Sequence, residues 1–254
     1  MRRWNFSVAR AALAVAAFIW WQSAADAQTS VQDIGGTQLL YTGPATPRAV
    51  IFAFAGGDGT VSFTPSGQFT HMGGNFVLRT ESLWLAQGFA FATLGSSSSL
   101  LGQRHGPAYA ATIGRALDFI RTKTTAPIWL VGTSMGSIAA ANGAAHLPGK
   151  VAGVVLTSSV AGANRASGET VFDSNLGAIA VPALVVSNRG DTCPSAGPGF
   201  APQILAALSR SPRKELIYVE SHELRSDPCE AMSPHGYLGI EGDVVQRIAG
   251  WIGR

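Results

Sequence analysis

The chain has 254 residues, 18 basic and 15 acidic, and is 46% hydrophobic with 13% charged residues. Three of the basic residues (Arg2, Arg3, Arg10) and one of the acidic ones (Asp26) fall in residues 1–27, so 15 basic and 14 acidic residues remain beyond them. A chain this apolar and this close to neutrality is neither a disordered segment nor a polybasic binder of nucleic acid or membrane surfaces, and its length suits one domain with a large core.

The N-terminus reads as an export signal. Arg2, Arg3 and Arg10 form a basic region, residues 11–21 an apolar one, and Ala25-Asp26-Ala27 a small-x-small cleavage pattern. The apolar stretch is far shorter than the roughly 20 residues of a spanning helix. Residues 28–254 are then expected as one exported domain, periplasmic or secreted, with no membrane anchor after cleavage.

Beyond the signal, short apolar runs alternate with longer helix-compatible segments. Residues 38–41 fit an antiparallel edge strand, and 49–55, 89–94, 128–131, 151–156, 183–186 and 216–219 fit strands. These runs are continuous rather than alternating, as expected for a parallel sheet buried on both faces. Helices are predicted at 76–87, 109–122, 135–146, 201–209 and 243–251. The repeated strand–helix–strand order implies right-handed crossovers and an α/β sandwich. Ser96 to Ser99 read as a solvated polar loop. The roughly twenty residues from Val160 to Ala180 that separate two strands are too few for a cap domain, so an open site is expected.

Cys193 and Cys229 are the only cysteines. An isolated pair in an exported chain points to one disulfide, and neither has a Cys or His partner at metal-ligand spacing.

The chemistry begins at Gly132-Thr133-Ser134-Met135-Gly136. Apolar Pro127 to Val131 precede it and the small residues 138–145 follow, so a G-x-S-x-G sequence sits between strand and helix. That is the context of a nucleophile elbow, whose turn exposes the serine and requires small neighbours. A serine hydroxyl needs a base, and the base a third group to orient it.

With this motif and the order of acidic and basic residues after it, the chain resembles the α/β-hydrolase superfamily over essentially all of residues 28–254. The resemblance implies a three-layer sandwich, a mostly parallel sheet with helices on both faces, little or no cap, and no metal or organic cofactor. It places Ser134 as nucleophile and Asp191, in the turn after the strand at 183–186, as acid, in preference to Asp173. His235 is favoured as base over His222, because it leads directly into the C-terminal helix. A Cys193–Cys229 bond would then tie the acid loop to the base loop. The backbone N–H groups of Met135 and Gly57 are the expected oxyanion donors. Gly57 is chosen over Asp58 within Ala55-Gly56-Gly57-Asp58-Gly59, where alanine stands in place of the histidine of the related His-Gly-Gly motif. Arg79, His71, His105 and His146 read as structural.

The activity implied is hydrolysis of a small-molecule carboxylic ester through an acyl-enzyme. Lipase, thioesterase, peptidase and acyltransferase use the same residues, and a non-catalytic binding module on this fold is the alternative outside enzymes.

Overall fold

The computed structural model describes Met1 and residues 27–162 and 168–254. The expected export signal lies almost wholly at 2–26, outside the described residues. Its predicted cut after Ala27 falls immediately before the first strand, β1 (Gln28–Asp33).

One eight-stranded sheet organises the chain. With β1 it contains β2 (Gln38–Gly43), β3 (Val50–Phe54), β6 (Ala90–Leu94), β7 (Ile128–Thr133), β8 (Gly153–Thr157), β9 (Ala183–Asn188) and β10 (Lys214–Val219), in the order β1-β2-β6-β3-β7-β8-β9-β10. The strands β4 (Ser62–Phe63) and β5 (Phe69–His71) form a separate small hairpin. β1 and β2 run antiparallel, and the sheet is parallel from β6 to β10.

Strand alternation sorts the core into two layers. Phe52, Leu130 and Val154 face the helices α3 (Pro107–Lys123), α4 (Gly136–His146) and α5 (Ala201–Ala207). Ile51, Trp129 and Val155 face the other side, under α1 (Phe76–Arg79), α2 (Glu81–Ala86) and α6 (Glu241–Ile252). Every central strand is buried on both faces, which is why its sequence shows no polar alternation. The small residues of α4 serve close packing on the sheet: a side chain at Gly143 would run into Leu130 and Ile113.

Three expectations are corrected. β2 is antiparallel as predicted but is not the edge, because β1 covers it. The hairpin β4–β5 was not anticipated. The helix predicted over 76–87 is two pieces, because Thr80 leaves helical geometry (φ −93°, ψ 7°). Its hydroxyl donates back to the Phe76 carbonyl at 2.8 Å and accepts from the Trp84 indole N–H at 3.2 Å, an alternative to ladder bonding that threonine offers the backbone.

Between β8 and β9 the described residues form only two short 3₁₀ turns, Val171–Ser174 and Leu176–Ala178, and no cap-sized layer. Among the described residues no helix is long and apolar enough to cross a membrane.

Candidate active site

Ser134 follows β7 directly and precedes α4. Its φ is 55°, in the left-handed region that side-chain-bearing residues rarely occupy, so the turn is strained as an elbow requires. Its amide donates to the Thr157 carbonyl at 3.0 Å, which fixes the turn to the neighbouring strand. A side chain at Gly132 would strike the Gly136 backbone, and one at Gly136 would strike the Phe54 carbonyl. The two glycines of the motif are therefore steric requirements.

His235 lies in a 3₁₀ turn, Pro234–Gly236, capped by the Ser233 hydroxyl, which accepts from the His235 amide at 3.1 Å. Asp191 follows β9, and its Oδ2 accepts from His235 Nδ1 at 2.8 Å, with both residues buried. The other carboxylate oxygen, Oδ1, accepts from the Cys193 amide at 2.9 Å. With Nδ1 donating to a carboxylate, the neutral ring carries its proton there, and Nε2 is the basic nitrogen. Nε2 is buried and has no hydrogen-bond partner among the described residues.

Ser134 and His235 line one cleft of about 680 Å³, together with Met72, Phe76, Met135, Val160 and Pro194. Cys193 and Cys229 form the expected disulfide, with their Cα atoms 4.7 Å apart, and both also line this cleft. The bond joins the acid loop to the base loop.

Gly57 and Met135 stand on the cleft wall, and neither backbone amide donates a hydrogen bond among the described residues. Gly57 has φ 56°, a conformation glycine adopts freely. Neighbouring Gly56 must also be bare, since a Cβ there would lie 2.8 Å from the Ser134 Cβ. Asp58 is not part of the wall. Its carboxylate accepts from the Thr60 amide and hydroxyl, and the amide bond first of all holds its pKa below the ordinary value.

Residues that the sequence did not single out hold the site in place. Arg104, buried behind the loop, donates through Nη2 to the Gly57 carbonyl at 2.9 Å and faces Glu169 at 3.9 Å. Asn188, fully buried at the end of β9, donates to the Pro234 carbonyl at 2.8 Å and accepts from the Ser221 and Gly190 amides. Tyr237 adopts φ 60° and donates its hydroxyl to the Val186 carbonyl at 2.9 Å, and burial pushes its phenol pKa up. No sequence signal marked these residues, because each acts on backbone groups that only the fold brings to it.

The rivals lie elsewhere. His222 is exposed and pairs with Glu220, and Asp173 closes a capping box with Thr170. His71, His105 and His146 bond to the Thr60 carbonyl, Glu169 and the Asn142 carbonyl. Arg79 is structural in the expected sense. It pairs with Glu241 at 2.9 Å and donates to the Gly74 and Gly236 carbonyls at 2.7 and 2.5 Å. Ser97 to Ser99 are exposed as predicted, and Ser96 to Ser98 line a second, polar cavity of about 580 Å³.

No protein-family description and no curated protein matches the chain. Solved structures do. An esterase from Pyrococcus furiosus superposes with a TM-score of 0.64 at 11% identity, over 90% of this chain and 91% of that one. Dienelactone hydrolase from Anabaena variabilis gives 0.60 at 15% identity, over 89% and 96%. Est1E from Butyrivibrio proteoclasticus gives 0.59 at 11%, over 88% and 97%. At such identities the likeness speaks for architecture. An eight-stranded, mostly parallel sheet with helices on both faces, matched over nearly the whole of these enzymes, is the α/β-hydrolase fold.

Proposed function

We propose that the protein is an exported serine hydrolase that cleaves carboxylic esters through a covalent acyl-enzyme. The observation that carries this reading is the unpartnered Nε2 of His235, whose opposite nitrogen is held by Asp191, in the same cleft as the strained Ser134. In the reaction, Ser134 Oγ attacks the acyl carbon while its proton moves to Nε2. The backbone N–H groups of Gly57 and Met135 hold the oxygen that becomes negative, an interaction worth about 3 kcal/mol per donor in the transition state. The C–O bond to the alcohol then breaks, and the imidazolium returns its proton to the departing alkoxide. Water, deprotonated by Nε2, attacks the acyl-serine and releases the acid and the free serine. Asp191 keeps the imidazole in the productive tautomer and stabilises its cation.

Export rests on the basic–apolar–small pattern of residues 1–27 and is supported by the disulfide, a bond that persists in oxidising compartments. The lack of a cap-sized layer between β8 and β9 among the described residues supports an accessible site for modest ester substrates. Labelling by a fluorophosphonate probe and hydrolysis of 4-nitrophenyl butyrate, both abolished in Ser134→Ala, are the expected results. Folded wild-type protein that takes up no probe would identify a binding module instead, and activity confined to peptides would replace ester by amide.

A further inference from the structure

We infer that the cleft selects uncharged esters and rejects those bearing a carboxylate or phosphate. The inference rests on the hydrolase reading above and deepens it. Among the described residues no lysine or arginine lines the cleft. Its walls are mostly aliphatic, aromatic and sulfur-bearing, from Met72, Phe76, Met135, Val160, Pro194 and the disulfide, with Asn75, Thr133 and Ser195 as neutral polar neighbours. The two arginines that touch the lining residues from behind are engaged. Arg104 donates to the Gly57 carbonyl, and Arg79 is occupied by the Gly74 and Gly236 carbonyls and by Glu241. An anionic group entering this cleft would lose water and gain no counter-charge, and burying a lone carboxylate is among the costliest transfers in a protein.

The one charged residue of the lining works in the same direction. Glu230 sits exposed on the rim, and its carboxylate has no hydrogen bond or ion pair among the described residues. It ends the segment 220–230, where Glu220, Glu223, Asp227 and Glu230 outnumber the single arginine, Arg225, which itself pairs with Glu223. The rim therefore carries a free carboxylate at Glu230, and the interior is mostly apolar. Like charges at an entrance slow encounter, and an interior without cations penalises the bound state.

The test uses two esters of one alcohol whose acyl chains are the same length, 4-nitrophenyl butyrate and mono-4-nitrophenyl succinate, with the disulfide intact. The expected kcat/KM ratio favours butyrate by about 100-fold or more. Glu230→Gln should shift the ratio toward the succinate by roughly threefold, and Met72→Arg, which adds a cation to the wall, should shift it further. A ratio within threefold for the wild-type protein overturns the inference and leaves the hydrolase reading intact. Failure to hydrolyse either ester, with no probe labelling at Ser134, overturns the hydrolase reading itself.

Discussion

The Asn188 side chain donates to the carbonyl of Pro234 at 2.8 Å, so the end of β9 grips the residue immediately before His235. The residue after His235 is gripped from the opposite side, where Arg79 donates to the Gly236 carbonyl at 2.5 Å. The imidazole is thus fixed through the backbone on both flanks, in addition to its own bond to Asp191. Positional tolerance in such clusters is small, and a displacement near 1 Å can cost about 100-fold in rate.

Asn188→Asp tests the first grip. It replaces the donor with an acceptor that faces the Pro234 carbonyl and adds a charge beside Asp191. A fall in kcat of about 10- to 100-fold with KM within a factor of a few is expected. Steady-state kinetics on the folded variant would show this, and a change confined to KM would count against it.

Arg79→Lys tests the second. A lysine keeps the charge opposite Glu241 but cannot reproduce the forked donation to two carbonyls. kcat should fall roughly tenfold, while Arg79→Met should lose more and also lower Tm.

Arg104 holds the other wall. Arg104→Met frees the Gly57 carbonyl and removes the guanidinium 3.9 Å from Glu169, which keeps the Gly102 amide and His105. Losing this buried, hydrogen-bonded guanidinium is expected to cost about 1–3 kcal/mol of stability. Under conditions where the variant remains folded, the loosened Gly57 loop should lower kcat more than it raises KM.

Replacing Ser134 by glycine and by alanine separates strain from chemistry. Both variants should be inactive. Because glycine is at ease at φ 55° and alanine is not, Ser134→Gly should be more stable than Ser134→Ala by about 1 kcal/mol. Denaturant unfolding of the two variants measures the difference.

The paired substitution Cys193→Ser and Cys229→Ser removes the link between the acid and base loops. A stability loss of about 2–4 kcal/mol is expected, with a drop in kcat that persists well below the unfolding temperature. Full activity in the reduced or substituted protein would show that the hydrogen bonds alone hold the loops together.

The legible part of the molecule was the part governed by burial. Continuous apolar runs located β3 and β6 to β9 to within a few residues, because strands covered on both faces carry no other composition, and the run at 216–219 located the half-buried β10. β1 escaped notice because QTSVQD is largely exposed and polar, and it becomes a strand only by pairing with β2. The break at Thr80 was hidden for a related reason: the competing bonds to Phe76 and Trp84 exist only once the turn has formed. Chain order brought Ser134, Asp191 and His235 into consideration, and the structure gathers them at one end of the sheet. Asn188 and Arg104 carried no pattern, since their importance lies in which carbonyls they meet.

The proposed reactive groups are unevenly supported across the sheet. Ser134 leaves β7, near the middle, whereas Asp191 and His235 follow β9 and β10, and β10 is a partly exposed margin with one strand neighbour. Margins of a sheet open at lower free energy than its centre. Warming or mild denaturant should therefore part the imidazole from the alcohol while the inner strands are still paired. Turnover would then fade before any spectroscopic sign that the molecule has come apart.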